Sequence, residues 1–171
     1  MNKKRGVVIM VALLIAVAWG VRVYQVNDGV AKKYDIQTYR IGESIPLEHA
    51  QLTITRFTYG NVENKDGFQT VPATLEMTVK NTSDQTISVA RLIEAKLAYD
   101  MDYIQTMEGS YDAQKIRQLP PHARVDITLV FDVAPKFKGK KAKLYLDQTL
   151  YKSRVIRASH QGKRYGIAVD L

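Results

Sequence analysis

From about residue 38 onward, apolar and polar positions alternate along the chain with a period of two. In ATLEMTVKN, Ala73, Leu75, Met77 and Val79 fall on one side, and Thr74, Glu76, Thr78 and Lys80 on the other. RVDITLVFDV gathers Val125, Ile127, Leu129, Phe131 and Val133 against Arg124, Asp126, Thr128 and Asp132. KAKLYLD sets Ala142, Leu144 and Leu146 against Lys141, Lys143 and Asp147. QLTITRFTY alternates too, but its apolar phase shifts between Ile54 and Phe57, as a β-bulge produces. Strands of this kind cover one face and wet the other, and the pattern predicts an antiparallel sandwich.

Turn signals punctuate these strands: Tyr59-Gly60-Asn61, Asn64-Lys65-Asp66-Gly67, Asn81-Thr82-Ser83-Asp84, Leu119-Pro120-Pro121 and Lys138-Gly139-Lys140. Asn81, Ser83 and Asp84 have side chains suited to capping a turn between two antiparallel strands. The stretch 87–105, ISVARLIEAKLAYDMDYIQ, is ambiguous between helix and strand, and strand is expected near both of its ends. The C-terminal run KSRVIRASHQGKR reads as a continuation of the basic edge described below.

The N-terminus follows a different pattern. Lys3, Lys4 and Arg5 precede an uncharged run from Gly6 to Val21. As a helix that run would measure about 24 Å, and about 28 Å if it continued to Tyr24 with Arg22 snorkelling outward. Trp19 and Tyr24 then occupy interfacial positions, and the basic cluster remains cytoplasmic. Three fates fit the segment: a retained membrane anchor, a signal peptide cut after Ala16-Val17-Ala18, or a buried core helix. Bulky Trp19 after that site and the apolar residues continuing to Val23 disfavour cleavage, and the basic flank disfavours a core helix, so the anchor is favoured. The expected organisation is therefore an anchor over 1–24, a polar tether over 25–37 and an extracytoplasmic β domain over 38–171.

The 171 residues suffice for one domain with a proper core. Cys is absent, which excludes disulfides, thiolate metal sites and a Cys nucleophile. The formal charge is +8, unevenly placed: residues 136–171 carry ten basic and two acidic residues. Lys136, Lys138, Lys140, Lys141 and Lys143 are the expected electrostatic contacts to an anionic partner. A solvated, aggregation-resistant edge strand is the bland alternative. Nucleic acid, with Phe137, Tyr145, Tyr151 and Tyr165 as stacking groups, fits the address poorly.

Candidate chemistry is sparse. His49, His122 and His160 lie far apart in sequence, and no H-x-x-H, H-E-x-x-H, G-x-S-x-G, phosphate-loop or G-x-G-x-x-G pattern occurs. Asp100 and Asp102 form a D-x-D pair without the rest of a calcium loop. An enzyme would need His122 brought to Asp100 or Asp102. No catalytic residue, cofactor or metal is expected.

A strand ending in VKNTSDQTISV, an aromatic-rich strand, then LPPHARVDITLVFDVAP and a closing KLYLD together resemble one group of proteins. These are the extracytoplasmic immunoglobulin-like domains of unknown function in Gram-positive bacteria, which share the sandwich fold of a secreted mycobacterial immunoprotective antigen. The match covers roughly residues 38–150, with Phe131, Asp132 and Val133 at the family's Phe-Asp-Val-like step. The resemblance implies an all-β, antiparallel immunoglobulin-like sandwich behind a single N-terminal transmembrane helix. It carries over no active site. The charge distribution and the anchor, rather than the resemblance, give the expected partners: the membrane and either an envelope protein or an anionic wall or lipid polymer, with an accessory role in a transporter or secretion complex as the alternative.

Overall fold

The computed structural model describes residues 3–27, 33–106 and 108–171. Helix α1 (Lys3–Asn27) is followed by two packed sheets. The first, antiparallel throughout, runs β2 (Ser44–Pro46), β3 (Ala50–Tyr59), β5 (Phe68–Asn81), β9 (Arg124–Val133) and β8 (Glu108–Tyr111), with β4 (Glu63–Lys65) paired to the start of β5. The second runs β1 (Lys33–Arg40), β11 (Lys163–Asp170), β10 (Lys143–Tyr145), β6 (Lys96–Tyr99) and β7 (Asp102–Gln105). The expectation of a purely antiparallel sandwich is corrected here: β1 and β11 pair in parallel, so the second sheet is mixed.

The alternating positions build the core as expected. Leu75, Met77, Ile127 and Leu129 are all buried, and the β5–β9 register places Leu75 opposite Leu129 and Met77 opposite Ile127. The phase change in β3 is a register shift between Ile54 and Arg56, leaving Thr55 without a partner; its hydroxyl instead donates to the Glu76 carbonyl. Asp66 and Gly67 both have positive φ (53° and 82°), the conformation of a tight hairpin turn between β4 and β5.

Three expectations change. The polar knot after β5 does not close a hairpin. Asn81 is fully buried, and its amide donates to the carbonyls of Gln85, Leu119 and Pro120 while its oxygen accepts from the Ser83 backbone and hydroxyl. It fastens the crossover to the other sheet. Beyond it, residues 87–105 give only a bridge at Ile87, a 3-10 turn (Ala90–Glu94) and then β6 and β7.

The tether is also shorter than 25–37. The helix persists to Asn27 and β1 begins at Lys33, so only 28–32 remain, outside the described residues. The strand over 33–37 leaves little trace in the sequence because none of its residues is buried.

Finally, the basic C-terminal run contains a helix, α3 (Lys152–His160). Val155 and Ala158, three apart, turn its apolar side to the body, and Gly162 at φ 69° ends it before β11.

Helix α1 contradicts the core-helix alternative, since no part of its apolar window is buried. Gly6–Asn27, 22 residues, would extend about 33 Å, which matches the roughly 30 Å hydrocarbon layer. Its length and composition suit a membrane anchor or a signal segment. Trp19, Arg22 and Tyr24 are exposed on it, whereas the side chains of Lys3, Lys4 and Arg5 lie outside the described set.

Candidate functional site

The mixed sheet has one face turned to solvent, and its register shows what that face presents. One row across all five strands reads Arg40, Asp170, Lys143, Ala98, Tyr103. A second, two residues along, reads Thr38, Ala168, Tyr145, Lys96, Gln105. The row between them, Tyr39, Val169, Leu144, Leu97 and Ile104, points inward to the core. Ala168 and Ala98 are buried although they face outward, because longer neighbours overhang them. Small residues in the middle of the face thus form a floor, and long ones form its walls.

The result is a shallow trough of about 810 Å³ lined by Arg40, Asp100, Lys141, Lys143, Tyr145 and Asp170, among others. Three cations and two carboxylates share it. Lys143 Nζ sits 3.0 Å from Asp170. A smaller hollow of about 280 Å³, between Tyr34, Tyr145, Arg164 and Gly166, continues along the face. The Tyr103 and Tyr145 rings stand 6.0 Å apart at the trough wall. Charged donors beside exposed aromatic faces suit an extended anionic ligand held without any covalent step.

The five expected lysines are not equivalent. Lys141 and Lys143 line the trough. Lys136 and Lys140 instead flank the Phe137 ring, at 4.6 and 5.8 Å from its centroid, and Lys136 pairs with Asp102 at 3.6 Å. Lys138 is exposed just beyond the short 3-10 turn over Pro135–Phe137. β10, which carries Lys143, lies in the middle of its sheet, so the idea of a charge-protected edge strand does not describe it. The stacking set for nucleic acid is not assembled either, because Tyr151 and Phe137 are buried.

The histidines and the D-x-D pair stay apart. His122 Nε2 lies 3.0 Å from Asp84, in the loop leading into β9. Asp100 and Asp102 instead sit at the β6–β7 turn, beyond the far end of β9, where Asp102 meets Lys136 and Phe137 stacks on Tyr99 with centroids 4.5 Å apart. Among the described residues, no group of three metal-ligating side chains converges. Beneath the trough, the Tyr99 hydroxyl meets that of Tyr59 at 2.8 Å, and Tyr59 also donates to the Lys140 carbonyl. Burial pushes the Tyr99 phenol well above its ordinary range, and the Tyr59 hydrogen bond pushes it further. It is a structural tie.

Sequence reasoning missed Arg40, which the β1–β11 pairing places beside Asp170, across that residue from Lys143. It also missed Lys33, Arg157, Lys163 and Arg164 as a group. No local pattern signals either arrangement.

No protein-family model matches the chain, and no curated protein matches it significantly. Among solved structures it is similar to an uncharacterised β-sandwich protein from Clostridium difficile 630. That likeness has a TM-score of 0.54 and 13% identity, and covers 82% of this chain and 98% of the other. It is also similar to the yjhA protein from Bacillus subtilis, with a TM-score of 0.49, 18% identity and coverage of 78% and 98%. The first likeness supports a β-sandwich of unknown function.

Proposed function

We propose that this protein is a non-catalytic, exported module of the immunoglobulin-like sandwich type, retained at the outer side of the cytoplasmic membrane by α1. In this reading it binds a phosphate-bearing polymer of a Gram-positive envelope along the outer face of the mixed sheet. The observation that carries the reading is the trough, where Arg40, Lys141 and Lys143 surround a floor of small residues beside Tyr145. Phosphates spaced along a polymer would exchange for the Asp170 carboxylate that now partners Lys143. Such contacts weaken as salt rises.

The test is titration of the full chain, in nanodiscs, with a glycerol-phosphate polymer at increasing ionic strength. Affinity should fall steadily with salt, and a K141E/K143E variant should bind at least about tenfold more weakly. Salt-independent binding, or unchanged affinity in the variant, contradicts the proposal.

One observation favours a second reading, an accessory subunit of a membrane complex. The outer edge of β1 is open, and its Tyr34 and Ile36 are exposed, as a strand-adding protein partner requires. Salt-resistant recovery of one membrane protein, lost on placing Pro at Ile36, would support it.

A further inference from the structure

The basic C-terminal segment, 136–171, spans two poles, because β11 runs the length of the mixed sheet between them. One pole holds Arg40, Lys141 and Lys143. At the other, about 25 Å away along the strands, β1 and β11 both begin. There Lys33 stands opposite Lys163, and Tyr34 opposite Arg164. Like charges directly opposed on neighbouring strands repel. Arg157 arrives at the same pole from the last turns of α3, in a hollow with Asp35, Arg154, Gln161 and Tyr165. Asp35 is the local counter-charge, 3.8 Å from Lys163. Among the described residues, five cations, Lys33, Arg154, Arg157, Lys163 and Arg164, thus share this end of the sheet with Asp35. Arg164 also lies over the exposed Tyr34 ring, 5.6 Å from its centroid, and donates to its hydroxyl.

The chain itself limits where this pole can be. Six Cα steps separate Asn27, the end of α1, from Lys33, the start of β1. They span at most about 22 Å. If α1 crosses the bilayer, as the proposed function has it, the excess of cations sits at the end of the domain tied closest to the headgroups.

We propose that this pole is a lipid-docking surface. Lys33, Arg157, Lys163 and Arg164 meet the phosphates of anionic headgroups in the membrane that α1 spans, and Tyr34 rests at the interface. Docking supplies counter-charge to Lys33 and adds to the single Asp35 contact of Lys163. It also aims the trough away from the membrane, toward the envelope. Each cation held near an anionic surface contributes about fivefold to the docked population. The lipid phosphate is thus read at one pole and the polymer phosphate at the other.

Because the chain has no Cys, one introduced cysteine takes one fluorophore. Full-length Q161C marks the docking pole and K138C the trough pole, each in nanodiscs carrying a headgroup-attached quencher. With about 30% phosphatidylglycerol, the label at 161 should be quenched at least about threefold more than that at 138. The difference should vanish in about 0.5 M NaCl, in zwitterionic discs, and in K163E/R164E. Equal quenching at both positions in anionic discs, or a difference indifferent to salt and lipid charge, overturns the docking while the chain stays in the disc. Release of the chain from the disc in high salt would instead overturn the anchor on which the inference rests.

Discussion

The β5–β9 pair and the β1–β11 pair are both long, regular ladders, yet the chain uses them in opposite ways. β5 and β9 pair over ten positions, and their inward residues from Val71 to Val79 and from Val125 to Val133 are buried without interruption. β1 and β11 pair over eight positions, but β1 has no buried residue and its outward edge is open. The first ladder carries the stability. The second joins the first and last strands of the β body and presents side chains: it brings Arg40 to the trough and Lys33 to the opposite pole. A strand placed by hydrogen bonds rather than by burial can vary its side chains at little cost to the fold, which is what a contact surface needs.

The largest expected effect separates these two ladders. Phe131→Ala, in the fully buried row of β9, should destabilise the protein by about 3–5 kcal/mol in urea unfolding, whereas Ile36→Ala on β1 should change it by less than about 0.5 kcal/mol. Comparable losses would erase the contrast. Asn81→Ala follows, at about 2–4 kcal/mol, because three carbonyls of the crossover lose their donor.

Tyr99→Phe should cost about 1 kcal/mol at neutral pH and change the alkaline response. Its phenol, raised by burial and by the Tyr59 bond, stays protonated in the fold. Above about pH 10 the unfolded chain releases a proton that the folded chain keeps, so stability is full below that pH and declines above it. Removing the hydroxyl should flatten the decline in a pH series of urea midpoints. The smallest effect is expected at Lys143→Ala, since its ion pair with Asp170 is half exposed: stability within about 0.5 kcal/mol, but weaker polymer binding.

What could be read from the sequence was local. The alternation of Leu75, Met77, Ile127 and Leu129 revealed a buried face, the shifted phase at Ile54–Phe57 revealed the bulge, and Asp66-Gly67 revealed a tight turn. Each signal lies within a few residues of its effect. The parallel pairing of Lys33–Arg40 with Lys163–Asp170 is set by partners about 130 positions apart, and an exposed strand carries no burial pattern to mark it. Asn81 looked like a turn residue because its chemistry is the same whether it caps a hairpin or a crossover; only the carbonyls of Leu119 and Pro120 decide between them. The lysines were visible as charge, but the division of that charge into two poles depends on β11 running between them. Helix α3 was hidden within the basic run, with only Val155 and Ala158 marking its apolar side.

Amide hydrogen exchange on the full chain in nanodiscs examines the division most directly. Anionic lipid should slow exchange around Lys33–Tyr34 and His160–Arg164, a glycerol-phosphate polymer should slow it around Lys140–Lys143, and β5 and β9 should respond to neither. If both ligands protect the same segment, or if the protection falls within β5 and β9, the mixed sheet does not carry two separate anion-reading surfaces.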